Sequence, residues 1–250
     1  TDEWLNNKDA PTFVLWDEDR IIGVLGVSIP LEGTCWLRLA AVIDGVDIQH
    51  AIETLWQTLY IHLQKQHIKS VWILGVHAWL TPHLQYLDFR YVEDVVTLRR
   101  NTSELPSTPQ SDIAIDIRTL HMEDVPMVAD VDRQAFHPPW QMTDDDIYHA
   151  LRHAAIATVA QVDNKIIGYQ ISTKSHSIAH LARLAVHPTM QGRKIGAALL
   201  DDMIRRFQRR GISTMTVNTQ ASNTHSQRLY NRYYFERNGY DFPVWRFTFT

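Results

Sequence analysis

Two short stretches of this chain recur at one fixed separation. Ile21-Ile22-Gly23 returns as Ile166-Ile167-Gly168, and Arg38-Leu39-Ala40 returns as Arg183-Leu184-Ala185, both 145 positions on. One shared separation for two independent matches points to a duplicated unit and narrows the fold to one built twice. The surrounding pattern agrees. FVLWDEDRIIGVLGVSI and ATVAQVDNKIIGYQIST each read as two β-rich segments about a polar turn, the mark of a hairpin. CWLRLAAV and HLARLAVH follow as short apolar runs suited to a buried strand, and then come helical periods in IQHAIETLWQTLYIHLQKQ and IGAALLDDMIRRFQRRG. The second of these stops at Gly211 after a basic last turn, as helix ends prefer. Each half then offers a strand (SVWILGV or TMTVNT), a short helix and a final strand. The expected fold class is α/β (α+β), with two domains that are each a mixed, mostly antiparallel twisted sheet flanked by helices.

The stretch NTSELPSTPQS, residues 101–111, is rich in Ser, Thr and Pro and reads as an exposed linker. It sets expected domains at 1–100 and 112–250. The C-terminal half adds a strand, IAIDIRTL, a helix, MEDVPMVADVDRQAF, a Pro-rich turn, HPPW, and a helix, TDDDIYHALRHA. A counterpart in the first half would precede Thr1, so either the first half has lost it or a segment lies ahead of that residue. The chain has 250 residues, 45% hydrophobic and 21% charged, with no apolar run as long as the ~18 residues of a membrane span. Its net charge of -4 supplies no basic field for nucleic acid. A single cysteine, Cys35, excludes an internal disulfide, and no signal-peptide pattern opens the chain, so a cytoplasmic protein without membrane or nucleic-acid partners is expected.

In QGRKIGA, Gly192 and Gly196 clear side chains from the start of a helix whose first N–H groups are unpaired and whose dipole is positive there. Arg193 and Lys194 add charge, so the turn suits a diphosphate. The competing reading is an ordinary strand-to-helix turn, because short Gly patterns are weak. Residues 181–240 taken together, LARLAVHPTMQGRKIGAALL and then VNTQASNTHSQRLYNRYYF, resemble the GNAT superfamily of N-acetyltransferases. That family's pattern is a strand ending Leu-Ala-Val, the turn (Gln/Arg)-x-x-Gly-x-(Gly/Ala), then Asn-x-x-Ala-x-x-Leu-Tyr-x-x-x-Gly-Phe. Here it falls on Leu184-Ala185-Val186, Gln191 to Gly196, Asn223, Leu229-Tyr230 and Phe235, with Lys194, Ser226 and Tyr234 at departures from the pattern.

The resemblance implies an acetyl-CoA co-substrate and no metal. Its diphosphate would lie on Gln191, Gly192, Arg193, Lys194, Ile195, Gly196 and Ala197. Main-chain groups of Leu184, Ala185 and Val186 would meet the pantetheine arm and the thioester carbonyl. Asn223 would touch the coenzyme, and Tyr230 would protonate the leaving thiolate, a phenol of pKa about 10 serving a thiol of about 8.5 once positioned. His180 is the first candidate base, because HLARLAVH resembles the strand of arylalkylamine acetyltransferases. A hydrogen-bonded His without a catalytic role competes, and deprotonation by water needs no residue. His187, beside Pro188, reads as structural. AFHPPWQMT stands where such enzymes bind acceptors, with Phe136, Trp140 and Met142 as an apolar wall. It also resembles the ribosomal-protein N-terminal acetyltransferases, although their Glu is Asn218 here.

The first half departs from the coenzyme pattern. At a separation of 145 the turn maps onto DGVDIQHA, with Asp47 for Gly192 and Ala51 for Gly196, and carboxylates there repel an anion. Near the Tyr230 counterpart stands Leu84, or Tyr86 if the register slips by two. The expected activity is N-acetyl transfer to a primary amine of a small molecule or peptide. Alternatives are a non-catalytic acyl-CoA-binding or interaction module and a protein N-terminal acetyltransferase. A homodimer is compatible with each.

Overall fold

A computed structural model describes residues 10–76, 78–107, 111 and 113–249. Two compact units divide the chain, Thr1–Asp94 with Phe242–Thr250, and Val95–Asp241. In unit 1 the strands β1 (Thr12–Asp17), β2 (Arg20–Val27), β3 (Thr34–Val42) and β4 (Ser70–Leu74) lie in that order. Among the described residues of this unit only the β3/β4 pair is parallel. Helix α1 (Ile48–Lys65) packs across β1 to β3, burying Leu55, Trp56, Leu59 and Leu63, the spacing its apolar residues demand. A short helix, α2 (Thr81–Tyr86), follows β4.

The long strands β5 (Arg90–Asn101) and β11 (Glu236–Thr248) correct the boundary expected from composition. Residues 95–101 pair antiparallel with β10 (Thr214–Gln220) and belong to unit 2, whereas Val244–Thr248 pair with Leu74–Ser70 and belong to unit 1. The cause is apolar burial. Val96 and Leu98 enter a core of unit 2, while Trp245 and Phe247 pack on that of unit 1. The stretch read as a free linker is tied down at its start, because the buried Arg100 donates to the carbonyls of Thr102 and Glu104 at 2.6 and 2.7 Å, and Leu105 packs on the same core. Residues 108–110 and 112 lie outside the described residues.

Unit 2 continues with β6 (Asp116–Thr119), α3 (Val125–Ala135), α4 (Asp144–Arg152), β7 (Ile156–Val162), β8 (Lys165–Ser175), β9 (Ile178–Val186), α5 (Ile195–Gln208), β10, α6 (Thr224–Arg232) and the start of β11. Its sheet runs β5-β10-β9-β8-β7-β6, again with a single parallel pair, β9/β10. Tyr169 and Ile171 face a core shared with α3 and α4, and Ala179, Leu181 and Val217 face one shared with α5. Alternation along the strands thus feeds two cores, giving the mixed, mostly antiparallel sheet with flanking helices.

The β-bulges recur between the units. One falls at Leu15/Trp16 and at Ala160/Gln161, the other at Gly26/Val27 and at Ile171/Ser172. Beyond the second bulge the separation changes. Gly23 pairs with Val42 and Gly168 with Val186, so equivalent glycines stand 145 apart and their partners 144. The reason is length, since Val27 reaches its partner Leu37 across nine residues and Ser172 reaches Leu181 across eight. Arg38-Leu39-Ala40 and Arg183-Leu184-Ala185 are therefore one residue out of structural register. At 144 the buried positions Ala51, Leu55, Trp56, Leu59 and Leu63 of α1 fall on Ile195, Leu199, Leu200, Met203 and Phe207 of α5, all buried.

Candidate active site

Strands β9 and β10 pair only from Ile178/Thr214 to Leu181/Val217. Ala182 is the extra residue of the bulge opposite Ile171/Ser172, and a bulge turns its strand away from its neighbour. The edge of Ala182 to Val186 facing β10 is left without a ladder partner, so its main-chain groups look into the gap. Val186 leads through His187 and a 3-10 turn, Pro188–Met190, to the start of α5. His187 serves structure there, its Nδ1 lying 2.8 Å from Thr189 Oγ1.

The turn into α5 is built on two left-handed residues. Gly192 has φ +79°, and a Cβ there would meet nothing within 4 Å, so its glycine answers to conformation rather than room. Lys194 has φ +65° and ψ +13°, a backbone state costing a side-chain-bearing residue about 1 kcal/mol. It gives α5 no side-chain cap, so the N–H groups of the first turn face the cleft uncapped. Gly196 differs, since a Cβ would lie 3.6 Å from Leu229 Cδ2 and 3.8 Å from Val186 Cγ2, ordinary contact distances. The protein's own packing does not require a glycine at 196.

The resulting cleft encloses about 600 Å³. Of the residues singled out in the sequence, Leu184, Ala185, Val186, Gln191, Gly192, Lys194, Ile195, Gly196, Ala197, Asn223 and Phe136 line it. Arg193 does not, its side chain being exposed while its carbonyl accepts from Ser111 Oγ at 2.9 Å. Asn223 is also the N-cap of α6, its side-chain oxygen accepting from Ser226 N at 3.1 Å. Tyr230 is buried just behind the wall, 6.0 Å from the Phe235 ring centroid. Burial drives its phenol well above the ordinary range, with the Arg183 guanidinium pulling the other way. His180 also stands off the wall. Its Nδ1 lies 2.9 Å from Thr216 Oγ1, and burial pushes its pKa down. Asn218 is exposed on β10.

The acceptor wall needs correcting. Only Phe136 of the three apolar candidates reaches the cleft. Met142 packs on the α3/α4 core, and the backbone around Trp140 and Met142 serves an ion pair the sequence reading missed. Asp132, fully buried, accepts from Arg183 Nε and Nη2 at 2.7 and 2.8 Å, from Tyr169 Oη at 2.5 Å and from Met142 N at 2.8 Å. Arg183 also donates to Trp140 O at 2.7 Å and lies over the Phe136 ring at 3.6 Å from its centroid. A carboxylate in the apolar stripe of α3 and an arginine inside HLARLAVH were the visible signals, because buried charges require partners. Also unforeseen on the wall are His225, Ser226, Arg228 and Arg232 of α6. Among the described residues no group of three or more His, Cys, Asp or Glu could hold a metal, and no helix is long and apolar enough to cross a membrane.

Residues 125–235 match the acetyltransferase (GNAT) family. A GCN5-related N-acetyltransferase from Sphaerobacter thermophilus superposes with TM-score 0.66 at 16% identity, over 99% of this chain and 84% of that one. A tandem GNAT protein from the clavulanic acid biosynthesis pathway gives 0.64 at 13%, over 96% and 84%. In sequence, the spore coat polysaccharide biosynthesis protein SpsD of Bacillus subtilis is 31% identical over 94 residues, 37% of this chain and 32% of that protein. The match thus spans about a third of that relative's length. Residues 125–235, which carry the cleft, thus match the acetyltransferase (GNAT) family, and the sheet around them has the fold of GNAT structures.

Proposed function

We propose that the protein transfers an acetyl group from acetyl-CoA to a primary amine of a small molecule or peptide, and that unit 1 is a degenerate copy without a coenzyme site. The observation carrying this reading is Gly196, whose missing side chain the protein's own packing does not need, so the space it leaves is available to a coenzyme in the cleft. Acetyl-CoA supplies an activated thioester, whose carbon the amine attacks with release of the thiol. The uncapped N–H groups at the start of α5, with Lys194, would hold the diphosphate. The open edge of β9 at Leu184 to Val186 would donate to the thioester oxygen as negative charge develops.

Tyr230 keeps its proton for the departing thiolate because burial disfavours the phenolate, and the nearby Arg183 charge eases the anion once the proton has gone. His180 is a base already neutral at pH 7. Its Nδ1 lies 2.9 Å from Thr216 Oγ1, which orients the ring, and burial favours its neutral form. Standing off the wall, His180 draws the amine's proton through a water.

A calorimetric titration with acetyl-CoA tests the reading. Saturation at one equivalent per chain, abolished by Gly196→Asp, is the expected result, and no binding by the unaltered protein sinks it. The position of Tyr230 and His180 behind the wall favours, as a second reading, a coenzyme-binding module without turnover. Amine-dependent thiol release separates the two.

A further inference from the structure

Resting on the acetyl-CoA reading, we propose that Arg228 and Arg232 bind the ribose 3′-phosphate of the coenzyme. They would make that group the feature by which the site selects CoA thioesters over acyl-pantetheine donors that lack it. The argument begins with charge. Lys194, Arg228 and Arg232 line the cleft with His225, and no Asp or Glu does. A bridging diphosphate brings about two negative charges, which Lys194 and the roughly half-charge of the α5 N-terminus already meet. Two guanidinium groups remain.

Their placement is not that of ordinary surface arginines. Positions 225, 228, 229 and 232 form one face of α6, and Leu229 on that face lies against Gly196, so the arginines on either side of it adjoin the phosphate turn. On α5 the arginines find carboxylates one turn away, Arg205 with Asp201 and Arg206 with Asp202, each at 2.7 Å. Arg228 and Arg232 are instead four residues from each other, a like-charge spacing that weakens a helix by about 0.2–0.5 kcal/mol. Among the described residues neither makes an ion pair, and Arg228 Nη2 has only a long contact, 3.4 Å, to Thr224 Oγ1. Favourable dipole placement covers Arg232 in the last turn but not Arg228 in mid-helix. A second dianion removes the repulsion, and the planar guanidinium fork matches phosphate oxygens.

The test is calorimetry on the full chain with acetyl-CoA and with acetyl-3′-dephospho-CoA. The unaltered protein should bind acetyl-CoA tighter by roughly tenfold or more. Arg228→Gln with Arg232→Gln should bring the two donors to equal affinity while leaving the dephospho compound's affinity as it was, which also shows the variant folded. Equal affinity in the unaltered protein overturns this proposal alone. So does a variant that loses both donors in proportion. No binding of either donor overturns the proposal together with the reading beneath it.

Discussion

At equivalent places the two units open very different spaces. Between β3 and β4 in unit 1 the gap encloses about 150 Å³, lined by residues such as Ala40, Gly75, Thr81 and Leu84, whereas the β9/β10 gap of unit 2 encloses about 600 Å³. Sheet order, bulges and the single parallel pair are shared, so a few side chains account for the difference. Register at 144 sets Ile52, 1% exposed, where unit 2 has Gly196. Helix α1 begins a turn earlier than α5 by that register, and its N-cap Asp47 accepts from His50 N at 3.1 Å, placing a carboxylate where an anion would sit. After α2, Phe89 N donates to Leu84 O at 3.0 Å, and after α6, Phe235 N donates to Tyr230 O at 3.1 Å, so Leu84 is the counterpart of Tyr230. On the proposed reading, Asp47, Ile52 and Leu84 stand in unit 1 where unit 2 has its phosphate turn, its channel and its proton donor, while the scaffold persists.

A second contrast runs the other way. Tyr233 is buried and reaches Ala197 O at 3.0 Å with its hydroxyl, filling the space between α6 and α5. Leu87, its counterpart just before the left-handed Asp88, is too short to do so, and unit 1 has there a hollow of about 880 Å³ walled by Trp56, Tyr60 and Phe247. Packing around α1 thus differs from that around α5 on both sides of the helix.

The sharpest way to break the first comparison is to exchange the proton donor. Tyr230→Phe should lower acetyl transfer by about 10²- to 10⁴-fold, with acetyl-CoA affinity by calorimetry within about twofold. Leu84→Tyr in unit 1 should leave the rate unchanged, and a rate gain there would contradict a silent first half. The next effect is on folding. Asp132→Ala strands the Arg183 charge and should cost about 3–5 kcal/mol in urea unfolding. Asp132→Leu with Arg183→Met should cost less, and equal losses would mean the pair does not act as a unit. The smallest effect concerns the turn itself. Lys194→Gly should raise stability by about 0.5–1 kcal/mol by relieving the left-handed residue, and should weaken acetyl-CoA binding through the lost cation. Tighter binding on that change would show Lys194 to be an obstacle to the diphosphate.

Much of this was legible in order of elements. Hairpin, buried strand, helix, strand and helix were marked twice by period and by Gly and Pro, and the turn that lines the cleft stood out because Gly192 and Gly196 flank two cations. The boundary between units was not legible, because the partner of a strand is a non-local choice, and nothing within YVEDVVTLRRN says that its second half pairs with β10. The one-residue difference between 145 and 144 was hidden because the chance match at Arg38 and Arg183 mimicked register. Trp140 and Met142 were assigned to the wall by residue type, although the ion pair of Asp132 and Arg183 fixes the loop through backbone groups, which carry no sequence signature. Arg228 and Arg232 were passed over since charged residues on a short helix usually face solvent.

The division of β5 and β11 between units bears on the order of synthesis. Unit 2 holds residues 95–241 without interruption, so its described strands are available before residues 242–250 are made. Unit 1 cannot cover Val71 and Ile73 on β4 until Trp245 and Phe247 arrive, more than a hundred residues after the rest of its core. The first unit in the sequence is thus the second to close during translation, and through that interval its β4 edge is exposed to aggregation and to chaperones. A fragment cut at 101–111 would hold unit 1 in that condition permanently.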